Sequence, residues 1–256
     1  MEIIFLGTGS GKTSLARNHS SFIIKQNEHL MLVDAGDGIC RSLLQQNINY
    51  NSINSILFTH YHADHFAGIA SLITQMKLLK RNESLKIFTQ KNLISPLESF
   101  LQASQIFMET LGFQFTISGF DFDEQISVKN DFKFITKRNS HIVQKEILKN
   151  YPPEMFTSYS VFFEIEKKKI IYTSDIGSET DLYLFKDEHA DYFITESAHV
   201  TTSAIYSAYK QLQPEHLLIT HINDEDAEEI ITWQKSLPAE NRKKIQVCHD
   251  GLSIFV

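Results

Sequence analysis

Between Thr59 and His65 the chain places His60, His62, Asp64 and His65, three imidazoles and a carboxylate within six consecutive residues. They follow the apolar run Ile56-Leu57-Phe58, so a strand would fix the backbone and the turn after it would aim several side chains at one volume. Imidazole suits zinc and other borderline divalent ions, and a carboxylate adds a charged ligand. A solvated polar loop has no need of four ligand-type side chains at this density, so the segment reads as part of a metal site.

Other apolar runs end in the same residue types. His221 closes the run His216-Leu217-Leu218-Ile219-Thr220, and Leu57-Phe58-Thr59-His60 is echoed by Leu218-Ile219-Thr220-His221. Asp175 follows Ile170-Ile171-Tyr172-Thr173-Ser174 and precedes Gly177. His141 lies between a strand ending near Lys137 and another beginning near Ser158. Taken singly, Asp175 would be a turn residue, and His141 and His221 ordinary polar residues at strand ends. Together with residues 60–65 they make seven ligand-type residues at strand ends, where open α/β sheets place their ligands.

The elements that must hold these residues are short strands alternating with amphipathic helices. Strands are expected at 2–6, 20–26, 29–34, 55–59, 85–89, 125–129, 131–137, 158–166, 169–174, 191–195, 216–220, 245–248 and 252–255, rich in Ile, Phe, Val and Tyr. Helices are expected at 37–47, 64–80, 93–111, 201–212 and 223–236. Asp64 is the expected N-cap of the second helix, and Asn223 or Asp224 that of the last. Residues 1–34 read as a strand meander, and 55–90 and 191–222 as strand–helix–strand units. This mixture predicts two sheets with helices on their outer faces, an α/β sandwich. No linker or low-complexity tract interrupts it, so 1–256 reads as a single domain.

A hydrophobic content of 42% over 256 residues is enough for a substantial core. The formal net charge of −7 argues against a broad basic face for tight, nonspecific nucleic-acid binding. Cys40 and Cys248, the two cysteines, are far apart and read as free thiols in a reducing compartment. The start carries an acid at position 2 and only four apolar residues before Gly7, unlike a signal peptide. No run approaches the roughly 20 apolar residues of a membrane span. A cytoplasmic protein is expected.

The motif His60-x-His62-x-Asp64-His65, followed in order by His141, Asp175 and His221, resembles the metallo-β-lactamase-fold hydrolase superfamily along essentially the whole chain. The resemblance implies a four-layer αβ/βα sandwich with a binuclear metal site at one edge. It further implies that His60, His62 and His141 hold one ion, that Asp64, His65 and His221 hold the other, and that Asp175 bridges them. Phe5-Leu6-Gly7-Thr8-Gly9-Ser10-Gly11, Arg17-Asn18-His19-Ser20-Ser21 and Asp34-Ala35-Gly36-Asp37-Gly38 are similar to the branch of tRNA 3′-end-processing endonucleases and related phosphodiesterases. So are Glu196 and His199-Val200-Thr201-Thr202; in that branch such a glutamate and histidine assist proton transfer. Two departures stand out. Ser174 occupies the position before the bridging aspartate where the branch usually has Gly. Only 34 positions separate His141 from Asp175, whereas the bacterial tRNA endonucleases carry a long basic arm there.

These implications give a mechanism. Two divalent ions, zinc foremost with manganese or iron as alternatives, would share a water whose pKa falls toward neutrality and which supplies the nucleophile. His199, oriented by Glu196, is the expected general acid, and Asp64 the expected partner of the nucleophilic water as well as a ligand. Asp34 and Asp37 resemble acids that support ligand imidazoles. Gly7, Gly9 and Gly11 read as a tight turn packed under the metal site. Lys12, Arg17 and Asn18 could reach a phosphate, Lys12 reading rather as a solvated residue, and His19, His29, His189, His216 and His249 carry no assignment. The expected activity is a phosphodiesterase acting on a small phosphodiester, such as a nucleotide or cyclic phosphate, or on an RNA 3′ end. Alternatives are a tRNA 3′ endonuclease with a reduced arm, a thioester or lactone hydrolase, and a non-catalytic metal- or nucleotide-binding protein. Oligomeric state stays open, a homodimer included.

Overall fold

A computed structural model describes residues 1–256, which form two compact units. The first comprises Met1–Gly7, Arg17–Asp121 and Asp250–Val256, and the second Thr8–Ala16 and Phe122–His249.

The first unit holds one mixed sheet. Its strands are β1 (Glu2–Gly7), β2 (Ser21–Gln26), β3 (His29–Val33), β4 (Ile53–Leu57), β5 (Leu85–Gln90), β6 (Phe115–Phe120) and the C-terminal β14 (Ser253–Phe255), in the spatial order β14-β1-β2-β3-β4-β5-β6. The expected meander is β1–β3, paired antiparallel with Ile3 opposite Ile24 and Ile24 opposite Met31. From β3 onward the pairing is parallel, with Val33 opposite Leu57 and Leu57 opposite Phe88. Parallel strands need helical crossovers, supplied by α1 (Ile39–Gln45), α2 (Ala63–Phe66), α3 (Ile69–Leu78) and α4 (Ile94–Ala103). Leu6, Ile23, Leu32, Ile56 and Ile87 of the sheet pack with Leu43 of α1, Leu72, Ile73 and Met76 of α3, and Leu97 and Leu101 of α4. Each such side chain contributes about 1.5–3 kcal/mol of transfer free energy.

The second unit holds the other sheet, β13-β12-β11-β10-β9-β8-β7. Its strands are β7 (Ile126–Lys129), β8 (Phe132–Arg138), β9 (Tyr159–Ile165), β10 (Lys168–Tyr172), β11 (Tyr192–Glu196), β12 (His216–Thr220) and β13 (Ile245–Val247). β7 to β10 pair antiparallel; β10 to β13 run parallel, with Ile194 opposite both Tyr172 and Leu218. Helices α5 (Thr202–Leu212), α6 (Ala227–Ser236) and the short α7 (Ala239–Arg242) accompany them. Ile205 and Ala208 of α5 and Ile230 of α6 pack against Phe193, Leu217, Ile219 and Ile245.

Several boundaries differ from the expected ones. The helix expected at 64–80 is broken into α2 and α3 at Gly68, whose N–H donates to the Ala35 carbonyl at 2.9 Å instead of within the helix; an added Cβ there would lie 2.3 Å from the carbonyl oxygen of Gly36. His62, in extended backbone, caps α2, and Asp64 falls in its first turn, where a carboxylate complements the helix dipole. Asn223 caps a 3-10 turn, Asp224–Asp226, and Asp226 occupies the cap position of α6. The helix expected to 111 stops at Ala103, followed by a 3-10 turn at Met108–Thr110. No helix is long and apolar enough to cross a membrane.

Candidate metal centre

In the first unit β3 and β4 run parallel, so the residues that follow them, Asp34 and Thr59, emerge at the same edge. Beyond β4 the chain divides its side chains between two jobs. Phe58, Tyr61 and Phe66 pack together, with Tyr61 stacked on Phe66 at 4.1 Å. The Tyr61 hydroxyl reaches Thr89 Oγ1 and the Leu93 carbonyl, each at 3.0 Å, and burial pushes the phenol above its usual range. This apolar anchor holds the turn while the His60 ring meets those of His62 at 4.7 Å and His65 at 4.1 Å.

Asp34 lies beneath that cluster, wholly buried. Its Oδ1 accepts from the Thr59 N–H, and its Oδ2 accepts from Thr59 Oγ1 and His65 Nδ1, all at 2.8 Å. With its hydroxyl hydrogen donated in the bond to Asp34, Thr59 Oγ1 accepts from His60 Nδ1 at 3.1 Å. Both imidazoles are thereby fixed with the proton on Nδ1, which leaves Nε2 as the ligand atom. Burial raises the Asp34 carboxyl above its ordinary range, and the His65 ring and the Thr59 donors pull it back. Asp64 Oδ2 lies 3.4 Å from His65 Nε2. Two bonds of about 2.0–2.2 Å at a tetrahedral angle give nearly that spacing between donor atoms on one ion. Gly36 permits the close approach of this turn, since a Cβ there would lie 2.1 Å from the Asp64 carbonyl oxygen. Asp37, expected to share the supporting role, is exposed and touches the turn through its backbone N–H, which donates to the Ala63 carbonyl.

In the second unit β10, β11 and β12 are parallel, and Asp175, Glu196 and His221 lie at their C-terminal ends. Asp175 Oδ2 is 3.6 Å from His141 Nε2 and 3.2 Å from His221 Nε2, again the spacing of donors around an ion. The donor set is imidazole and carboxylate throughout, and both clusters fit a divalent metal. Ser174 and His221 both take left-handed backbone, at φ 55° and 49°. That explains why glycine suits the position before the aspartate.

Glu196 is buried and holds His199. Its Oε1 accepts a hydrogen bond from His199 Nδ1 at 2.8 Å, and the carboxylate also accepts from the backbone N–H groups of Ile176, Ala198 and His199 at 2.8–2.9 Å. The His199 ring, 40% exposed, stands 4.9 Å from the His141 ring and 5.9 Å from that of His221. With Nδ1 occupied, Nε2 is the atom able to exchange a proton with a substrate. Gly9 forms a parallel bridge with Ile222: the Thr8 carbonyl accepts from the Ile222 N–H at 2.8 Å and the Ser10 N–H donates to the Ile222 carbonyl at 3.3 Å. Lys12 pairs with exposed Glu225, and Asn18 is spent within the first unit on Leu6, Gln45 and Asp250.

Two residues that carried no signal in the sequence tie the second cluster together. Asp181 Oδ2 accepts from the Ser140 N–H (3.0 Å), Ser140 Oγ (2.6 Å) and the Gly177 N–H (3.0 Å). Asn139 donates to the Asp175 carbonyl at 2.9 Å and accepts from the His141 N–H at 3.3 Å. Both clip the loop of His141 to the loop of Asp175. Gly177 allows it, because a Cβ there would lie 2.1 Å from the Ser140 carbonyl oxygen.

The chain is 26% identical to ribonuclease Z of Pyrococcus furiosus over 268 aligned positions, covering 86% of each chain. It is 38% identical to ribonuclease Z of Pyrococcus abyssi over 103 residues, 40% of this chain and 34% of that one. It spans only a third to a half of that relative and of ribonuclease Z of Methanococcus aeolicus. Among solved structures, the metallo-β-lactamase fold protein YhfI from Bacillus subtilis superposes with a TM-score of 0.75 at 17% identity, over 99% of this chain and 98% of that one. The short form of human tRNase Z superposes with a TM-score of 0.73 at 18% identity, over 100% and 99%. These likenesses establish the expected fold class, the α/β sandwich of the metallo-β-lactamase fold. The family of Anti-Pycsar protein Apyc1 matches residues 1–225. This metal-dependent hydrolase therefore belongs to the Anti-Pycsar protein Apyc1 family.

Proposed function

We propose that the two units act as one hydrolase domain, a binuclear phosphodiesterase whose substrate is a small nucleotide or cyclic phosphate. His60, His62 and His141 would hold one ion and Asp64, His65 and His221 the other, and Asp175, whose carboxylate lies 3.6 Å from His141 and 3.2 Å from His221, would be available to both. Zinc suits this set, and manganese or iron would also be accommodated. Bound divalent ions supply Lewis acidity and lower the pKa of a water toward neutrality. The chain's own contribution is positional and protic. Asp34 and Thr59 fix the imidazole tautomers, Asp64 orients the attacking water, and His199 delivers a proton from Nε2 to the departing oxygen while Glu196 stabilises the imidazolium.

The single observation that carries this reading is the Glu196–His199 pair beside the ligand cluster of the second unit. A purely metal-storing chain has no use for a buried carboxylate that orients a half-exposed imidazole. The short segment between His141 and Tyr159, built of 3-10 turns at Glu146–Leu148 and Pro153–Met155, supports a small substrate over a large folded RNA. Purified protein should hydrolyse bis(p-nitrophenyl) phosphate only with divalent metal, and His62→Ala should abolish that turnover with the circular dichroism spectrum preserved. Turnover by metal-free protein contradicts the reading. The likeness to Pyrococcus furiosus ribonuclease Z favours one second reading, cleavage at an RNA 3′ end, which a precursor tRNA with a 3′ trailer tests.

A further inference from the structure

Of the ligand-type residues, His221 alone takes left-handed backbone, at φ 49°. Such backbone is uncommon for a residue that carries a Cβ, and it persists where neighbouring structure over-determines it. The neighbouring structure is the segment 8–14, which belongs to the same unit. Directly after His221, this segment engages both backbone groups of Ile222, the N–H through the Thr8 carbonyl at 2.8 Å and the carbonyl through the Ser10 N–H at 3.3 Å. Side chains continue the attachment at every second residue. Ser10 Oγ donates to Asn223 Oδ1 at 2.7 Å, Lys12 pairs with Glu225, and Ser14 Oγ donates to Asp224 Oδ2. The three attachments are unequal. Ser10 is buried and Asn223 half-buried, and Asn223 Nδ2 also donates to Asp226 Oδ2 at 2.9 Å, at the start of α6. The Asn223 amide therefore joins the segment to α6 two residues beyond the ligand. The Lys12–Glu225 and Ser14–Asp224 bonds are exposed, and exposed pairs contribute little.

We infer that residues 8–10 are a strap that holds His221 in its ligating conformation, and that Ser10 and Asn223 are positioning residues for it; the inference rests on the binuclear reading of the site. Neither residue is a ligand. They act through the backbone of Ile222 and the turn that follows, where a small shift would swing the His221 ring. The ion that His221 serves depends on the strap, and the other ion does not.

The test withdraws zinc from the loaded full chain with a competing chelator and follows the two ions separately. In Asn223→Ala and in Ser10→Ala, one ion should bind about 10–100-fold more weakly, the usual effect of removing support behind a ligand, and the other should be unchanged. The double variant should bind zinc about as the weaker single one does, since both substitutions break the same bond. Lys12→Ala, at the exposed end of the strap, and Ile205→Val, in the core of the same unit, should leave both affinities at the wild-type level. Ser10→Ala deletes one oxygen atom, so the test stands even where Asn223→Ala does not fold. Wild-type zinc affinity in both single variants, equal weakening of both ions, or equal weakening in Ile205→Val overturns the strap; continued metal-dependent turnover of bis(p-nitrophenyl) phosphate then leaves the phosphodiesterase standing. A wild-type chain that holds one ion only overturns the strap and the binuclear reading together.

Discussion

At the scale of single residues, the division of labour among the imidazoles follows from what holds each Nδ1. His60 and His65 are backed by Thr59 and Asp34, which suits a ligand. His199 is backed by Glu196, itself tied down by three backbone N–H groups, which suits a proton donor that must return to the same orientation each cycle. His199→Ala should therefore lower kcat by about 10²–10⁴-fold, the usual worth of a general acid, with metal content unchanged by elemental analysis. Loss of metal in that variant would move His199 into the ligand set. The ligand-type residues were legible in the sequence because their chemistry is local: His60-x-His62-x-Asp64-His65 announces itself by density. Asp34 was legible through its neighbours in the motif. The relay from Asp34 through Thr59 to His60 was not, since it depends on Val33 and Leu57 lying side by side in β3 and β4.

At the scale of elements, the parallel strands end together and the loops beyond them must be clipped in place. Asp181 and Asn139 do this for the loops of His141 and Asp175, although neither stands out by type or spacing. Asp181→Ala strands three donors and should destabilise the fold by about 1–3 kcal/mol. Calorimetric titration with zinc should show an affinity about 10–100-fold weaker, the usual effect of removing support behind a ligand, with Asp181→Asn recovering part of it. A destabilising change of equal size away from the loops should leave zinc affinity alone; equal weakening in both would remove the positioning role. Most strands were legible because apolar runs of β-formers set them apart. β6 was not, because Phe115–Phe120 is half-buried and carries Ser118 and Gly119, which mimic a turn. The break between α2 and α3 was hidden because the apolar periodicity continues through Gly68, whose N–H turns out of the helix to the distant Ala35 carbonyl.

At the scale of the whole molecule, four ligand-type residues lie in the turn 60–65 of the first unit and three near strand ends of the second. The order of those residues along the chain was readable from the start, and with it the family resemblance and the fold class. The substrate was not, because the fold is common to hydrolases of many kinds and selectivity rests on cavities assembled from distant segments. The central claim is that both sets serve one pair of ions. X-ray absorption spectroscopy on the zinc-loaded chain tests it most directly. The account predicts two zinc ions per chain, nitrogen and oxygen ligands at about 2.0–2.2 Å, and a zinc–zinc vector of about 3.5–4 Å. One ion per chain, or two with no zinc–zinc vector in that range, would contradict it.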